Sequence, residues 1–221
     1  MNIVSNYAHL INSIEDVAGR VGRNPATIRV IAVTKMVGVE EIEQAVNLGI
    51  KDFAENRVQD ALPKMARFSQ FRWHFIGHLQ TNKVHKIFPF CALIHSLDRP
   101  SLAKYLQKEA EKAGRRADVL IQVNISGEES KHGLKPGDLA DFLGLLESFD
   151  HINVHGLMTM APLVADPENS RPYFRELRAL RDKHKRPGMD MSELSMGMTN
   201  DYKVAIEEGA TMIRVGTALF S

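Results

Sequence analysis

The chain has 221 residues, 44% of them hydrophobic and 25% charged, with 28 lysines and arginines against 27 aspartates and glutamates. That length suits one sizeable core, and the balanced composition argues against a disordered chain and against a basic nucleic-acid-binding surface. A single cysteine, Cys91, set in the apolar stretch 90–94, excludes an internal disulfide and a multi-cysteine metal site, and it reads as a small buried hydrophobe.

Residues 1–22 lack the basic start, long apolar run and small-residue cleavage site of a signal peptide, and nowhere do about 18 apolar residues run together. A cytosolic location with no membrane partner is therefore expected. The same segment lines up Tyr7, Leu10, Ile11, Ile14, Val17, Ala18 and Val21 on one helical face. Strand-like runs then recur at 29–35, 52–55, 73–78, 92–97, 119–125, 154–160, 193–198 and 212–220. Between them lie amphipathic helical patterns, among them Ile42, Ala45, Val46, Gly49 and later Leu139, Phe142, Leu143, Leu146. Gly49, Gly114 and Gly209 stand where helices should stop, and Pro100, Pro136 and Pro172 stand near helix starts. This order predicts an α/β fold, a TIM-type (β/α)8 barrel formed as a single domain over residues 1–221, with a doubly wound open sheet as the alternative. The last run reaches almost to the final residue, so the last helix is expected to be truncated, with the N-terminal helix covering the sheet there.

Active sites of such barrels lie at the carboxyl ends of the strands, so reactive residues at strand ends are the candidates. Lys35 follows the apolar run 30–34 and precedes a loop; an amine partly desolvated there would have a lowered pKa and could attack an aldehyde. The loops after the last two strands are the usual phosphate site of a barrel. Here they read Ser195-Met196-Gly197-Met198-Thr199-Asn200-Asp201, in which Thr199 or Asn200 could cap a helix start, and Arg214-Val215-Gly216-Thr217. Arg214 interrupts Met212, Ile213 and Val215 and so directs a permanent cation into the barrel or toward its mouth, where a carboxylate, a phosphate or a ring nitrogen must meet it. Asn56 at the end of the second run can offer both donor and acceptor to a planar ligand. His74 and His78 alternate along the third run, but no H-E-x-x-H or similar cluster accompanies them, and no metal site is expected.

In these residues the sequence resembles the pyridoxal phosphate homeostasis proteins, single-domain barrels that bind pyridoxal 5′-phosphate (PLP). The resemblance spans nearly the whole chain. It rests on Ala32-Val33-Thr34-Lys35, on Ala54-Glu55-Asn56-Arg57-Val58-Gln59-Asp60, on Trp73-His74-Phe75-Ile76-Gly77-His78-Leu79-Gln80-Thr81-Asn82-Lys83, on Val123-Asn124-Ile125, on Gly156-Leu157-Met158-Thr159-Met160, and on the two segments around Ser195 and Arg214. It implies a Schiff base between PLP and Lys35, a phosphate held by residues 195–199 and by Gly216 and Thr217, and Arg214 close to the cofactor. With Asn56 and His74, the implied cofactor set is Lys35, Asn56, His74, Ser195, Gly197, Met198, Thr199, Arg214, Gly216 and Thr217. Ala54, Thr199 and Ser221 depart from the residues the family commonly has.

The resemblance also implies a non-catalytic role in vitamin B6 homeostasis, with PLP and apo PLP enzymes as partners; a monomer is expected separately, because one face of the barrel is not obviously apolar. The rival is a PLP-dependent racemase, because the fold is similar to the barrel half of alanine racemases. Racemisation needs a proton donor on each face of the cofactor. Besides Lys35, His74, His78 and Tyr202 are the candidates. The chain is expected to lack the second domain of those enzymes. Lys131 and Lys135 could offer a second docking amine. A third reading is a phosphate-sugar or nucleotide barrel in which Lys35 serves only electrostatically.

Overall fold

The strand-like runs are apolar on both faces because the sheet they form closes on itself, with helices outside and a packed lumen within. The computed structural model of the chain describes residues 2–185 and 189–221. Its strands are β1 (Arg29–Val33), β2 (Asp52–Glu55), β3 (Arg72–Phe75), β4 (Cys91–Leu97), β5 (Ala117–Gln122), β6 (Ile152–Met158), β7 (Glu193–Met198) and β8 (Met212–Val215). All neighbours pair in parallel, and β8 returns to β1 with Arg214 opposite Ile31. This closure removes the open-sheet alternative.

Around the barrel lie α1 (Ile3–Arg20), α2 (Val39–Asn47), α3 (Val58–Arg67), α4 (Val84–Ile87), α5 (Pro100–Lys112), α6 (Leu139–Leu146), α7 (Arg171–His184), α8 (Tyr202–Glu207) and α9 (Thr217–Phe220). Gly49, Gly114 and Gly209 follow helices with positive φ, as their positions predict. Pro100 opens α5 and Pro172 lies in the first turn of α7. No described helix is long and apolar enough to cross a membrane.

Several strands end short of the carboxyl ends expected from their apolar runs. β1, β3, β5 and β6 stop two or three residues early, and residues 217–220, read as strand, form the single turn of α9. The overshoot has a physical cause, since the chain beyond these ends stays apolar while it folds over the barrel mouth, with Val123, Ile125 and Ala161 buried there. The truncated α9 is covered as expected. α1 packs on α8 and α9, and the Asn6 amide donates to the carbonyls of Leu219 (3.1 Å) and Ser221 (2.8 Å).

Strand alternation divides the interior into two parts. Ala32, Phe53, Trp73, Phe75, Ile94, Leu194 and Ile213 face outward into the layer shared with the helices. Ile31, Val33, Ala54, Leu93, Leu120, Met158 and Met212 fill the lumen. Buried lumen positions on β2, β3, β4, β7 and β8 carry Asp52, His74, His95, Ser195 and Arg214 instead. Cys91 is buried, and burial pushes its thiol pKa up to about 12, which leaves it the inert hydrophobe its surroundings suggest.

Candidate functional site

A cavity of about 360 Å3 opens where the strands end, within the size range of small-molecule sites. Of the residues singled out in the sequence, it gathers Lys35, Asn56, His78, Met198, Thr199, Arg214, Gly216 and Thr217 in its lining. His74, Ser195 and Gly197 are not among them.

Lys35 leaves the end of β1 from a rigid base. The preceding Thr34 is buried, and its hydroxyl donates to Glu55 Oε1 (2.7 Å) at the end of β2. Lys64 of α3 reaches under both, donating to Glu55 Oε1 and to the Thr34 carbonyl at 2.6 Å each. The sequence reading missed Lys64. Its signal was a cation between Ala61 and Met65, on the inner face of a helix that otherwise buries apolar residues. Lys35 itself is exposed, and among the described residues its amine makes no hydrogen bond or ion pair. The desolvation expected of a strand-end amine is absent, because the side chain points into the open mouth rather than the lumen.

Arg214 is the opposite case. It is 3% exposed, and its guanidinium donates through Nη1 to Ser195 Oγ (2.5 Å) and through Nη2 to the Thr159 carbonyl (2.9 Å). Among the described residues no carboxylate pairs with it. Burial pulls its pKa down to about 10, partly offset by Asp201, so it stays charged at neutral pH. Ser195 and His74 belong to the lumen beneath. Ser195 Oγ meets His95 Nδ1 (2.9 Å), His95 Nε2 meets His74 Nδ1 (2.9 Å), and His74 Nε2 meets Asp52 Oδ1 (3.0 Å). Strand alternation puts these side chains on the inward face one layer below the mouth, which is why they fail to reach the cavity.

The turns after β7 and β8 form one wall. Thr199 Oγ1 accepts from the Ala218 N–H (3.3 Å), joining the two turns. Neither Thr199 nor Asn200 caps α8; Asp201 stands at its start, and its carboxylate turns back to accept from the Met198 N–H (2.6 Å). Gly197 serves packing rather than the cavity. With φ at 91°, a Cβ there would stand 2.5 Å from Ala205 Cβ and 3.0 Å from Tyr202 Cα, so the glycine lets α8 lie against β7.

On the other wall Gly77 lets the loop after β3 cross the Asn56 backbone, where a Cβ would come within 2.0 Å of the Asn56 carbonyl oxygen. Asn56 Oδ1 is buried with no partner, an acceptor available to a ligand in the cavity. Because β3 ends at Phe75, His78 does not share a strand face with His74. It lies in the loop, stacked on His132 at 4.0 Å with 20° between the rings. Burial, then His132 and Arg99, lower its pKa, against the pull of Asp98. His78, Asp98 and His132 bring ligand atoms within 4.8 Å of one another. In stacked rings, however, the in-plane lone pairs run side by side instead of converging on one ion, and Asp98 is paired with Arg99. Tyr202 is turned outward, donating to Ser13 (2.9 Å), and Lys131 pairs with Glu128 (3.2 Å). Neither they nor Lys135 line the cavity.

Known proteins resemble this chain in sequence and fold. Residues 6–221 match the family described as alanine racemase, N-terminal domain. A pyridoxal phosphate homeostasis protein of Aquifex aeolicus is 43% identical, over 100% of this chain and 98% of the relative. The structure of PipY from Synechococcus elongatus PCC7942, determined with PLP bound, superposes with a TM-score of 0.82 at 34% identity and covers 95% of this chain and 100% of that one. An alanine racemase of Clostridium difficile 630, at 15% identity and a TM-score of 0.79, matches 99% of this chain with 59% of its own, a likeness of fold alone. With a full-length relative at that identity and a family match over nearly its whole length, the chain belongs to the pyridoxal phosphate homeostasis proteins, built on the alanine racemase N-terminal barrel.

Proposed function

We propose that this chain binds PLP in the strand-end cavity as a Schiff base on Lys35, and that it holds the cofactor and hands it on, apo PLP enzymes included, rather than turning over a substrate. The observation that carries this reading is the pairing, around one cavity, of an amine at the mouth with a buried guanidinium, the first without a partner and the second without a carboxylate in salt-bridge contact among the described residues. The residues present fit the cofactor: Thr199, Gly216 and Thr217 would face its phosphate, and Arg214 and the orphaned Asn56 Oδ1 its ring. When bound, PLP supplies an aldehyde that an amine can take up and a ring able to withdraw electrons. Arg214 brings a lasting positive charge to that ring, which disfavours a further proton on its nitrogen and weakens the electron withdrawal that catalysis needs. Lys35 would hold that aldehyde at a mouth open to solvent, where a competing amine could also approach.

Racemisation is poorly supplied with proton donors. Of the candidates read from the sequence, His74 is sealed in the lumen and Tyr202 bonds Ser13 on the outer layer, which leaves His78 against the cavity with His132 stacked on it, both on one side of the mouth. Titration with PLP, followed by borohydride reduction and peptide mass analysis, tests the reading. A visible absorption band and a reduced adduct on Lys35 are expected, both lost in Lys35→Ala, with no turnover across a panel of amino acids. Racemisation at enzymatic rates would replace the carrier reading with the racemase. Absence of a band in the unmutated protein would replace it with a phosphate-ligand barrel.

A further inference from the structure

Between Arg214 under the cavity and Asp52 at the amino end of β2 runs an unbroken line of buried polar side chains with four links. They join Arg214 to Ser195, Ser195 to His95, His95 to His74, and His74 to Asp52, at 2.5, 2.9, 2.9 and 3.0 Å. The ends fix its direction, because a guanidinium only donates and an ionised carboxylate only accepts. Arg214 donates to Ser195, so the serine hydroxyl hydrogen goes to His95. Accepting at Nδ1, His95 carries its proton on Nε2 and donates to His74. Accepting likewise at Nδ1, His74 donates from Nε2 to Asp52. Four links take four hydrogens, and the guanidinium, the hydroxyl and two neutral imidazoles bring one each. A fifth hydrogen on either ring would place two in one link.

The surroundings agree with this count. Burial, the largest influence on both rings, lowers the pKa of His74 and that of His95, keeping them neutral. Burial works against the Asp52 carboxylate, yet hydrogen bonds from His74 and Arg72 hold its pKa below the usual range. Arg72 clamps it with both arms, at 2.9 and 2.6 Å, from the solvent side.

We propose that His95, His74 and Asp52, none of which reaches the cavity, are positioning residues for PLP: their one-way chain reserves the Ser195 oxygen for Arg214 and fixes the guanidinium between Ser195 and the Thr159 carbonyl, so that a charged N–H of set direction faces the cofactor ring. This presupposes that PLP occupies the cavity. The isosteric change Asp52→Asn exposes the role, although it lies at the far end of the line. An amide can donate to His74 Nε2, which lets both rings take the other tautomer, so that the Ser195 oxygen must accept from His95 as well as from Arg214 and its own buried hydrogen loses its acceptor.

Ring-nitrogen NMR of the unmutated protein without added cofactor tests the chain itself. Both histidines are expected with hydrogen on Nε2 and none on Nδ1, unchanged from about pH 6 to 9, a range in which a free histidine would titrate. Hydrogen on Nδ1 of either ring overturns the chain whether or not the protein takes up PLP. In Asp52→Asn, with folding checked by circular dichroism, PLP affinity should fall about tenfold, as for one lost charged hydrogen bond, and the pH profile of the visible band should shift. Unchanged affinity and an unchanged profile overturn the positioning role. Failure of the unmutated protein to take up PLP removes the cofactor reading and the positioning role together, and the tautomers still decide the chain.

Discussion

The mouth of the barrel and the lumen below it treat their side chains in opposite ways. At the mouth Lys35 is unpartnered, and Met36 and Leu163 are 84% and 86% exposed. In the lumen Ser195, His95, His74 and Asp52 are all hydrogen-bonded, as burial of polar groups demands. On the proposed reading, storage of a reactive aldehyde would use both. The fixed part would set how tightly the cofactor's ring and phosphate are held, and the open part how readily its carbon changes amines. The contrast also locates the least replaceable residues away from the reactive amine.

The largest effect should come from joining the two regions more tightly than they allow. Gly77→Ala drives a methyl group into the Asn56 carbonyl, which backbone on both sides prevents from yielding, so a loss of about 3 kcal/mol in stability is expected from chemical denaturation, the upper end for overpacking. If the variant is as stable as the parent, the wall between Asn56 and Gly77 is looser than its geometry implies.

Acid separates the regions next. His74 and His95 have lowered pKa values in the folded chain, whereas in the unfolded chain both titrate near about 6.5. Below that pH the unfolded state binds two protons that the native state refuses, so stability falls as pH drops, at up to roughly 2.7 kcal/mol per pH unit. Above about pH 7.5 both rings are neutral in either state and their contribution is flat. His155 works in the other sense: its pKa is raised, chiefly by a hydrogen bond with Asp118, so its contribution is complete below the unfolded value and is lost as pH rises through the folded one. Denaturation midpoints measured from acid to neutral pH should therefore climb steeply and then level. A flat profile below neutrality would mean that the lumen histidines accept protons in the native state.

Much of this was legible in the sequence. The alternation of apolar runs with amphipathic helices carries the barrel, and β2 and β7 match their expected bounds because polar or turn residues stop them on both sides. The turns after β7 and β8 were visible where glycines break the apolar pattern, Lys35 as a cation following an apolar run and Arg214 as one within such a run. What stayed hidden was depth. Lys35 and Arg214 are both cations set against apolar strand runs, one after its run and one within it, yet the first is exposed and the second sealed, since a strand's alternation sets the face but not the layer within a lumen. The same ambiguity puts His74 and Ser195 at the cavity in the sequence reading, whereas Gly197 stands apart because its close contact with α8 leaves no trace in the sequence. His95 was missed because a lone histidine in an apolar run has no partner until strand closure brings Ser195, a hundred residues away, to 2.9 Å. Lys64 was passed over although it stands between the buried Ala61 and Met65, because, three residues on, Arg67 makes the helix end look like an ordinary basic, solvated face.

The smallest expected effect sharpens the comparison from the open side. If the mouth is as free as it looks, Met36→Ser and Leu163→Ser remove apolar surface that is already in water and should change stability by less than about 0.5 kcal/mol. Leu163 lines the cavity and Met36 adjoins Lys35, so the same variants also report on exchange. Equilibrium affinity for PLP, set by the fixed groups, should hold, while the rate of transfer to a competing amine is free to change because only the approach differs. Thermal melting and stopped-flow absorbance separate the two quantities. A loss above about 1 kcal/mol in either variant would show that these side chains pack against something in solution, closing the mouth and shifting control of release from the chemistry at Lys35 to its opening.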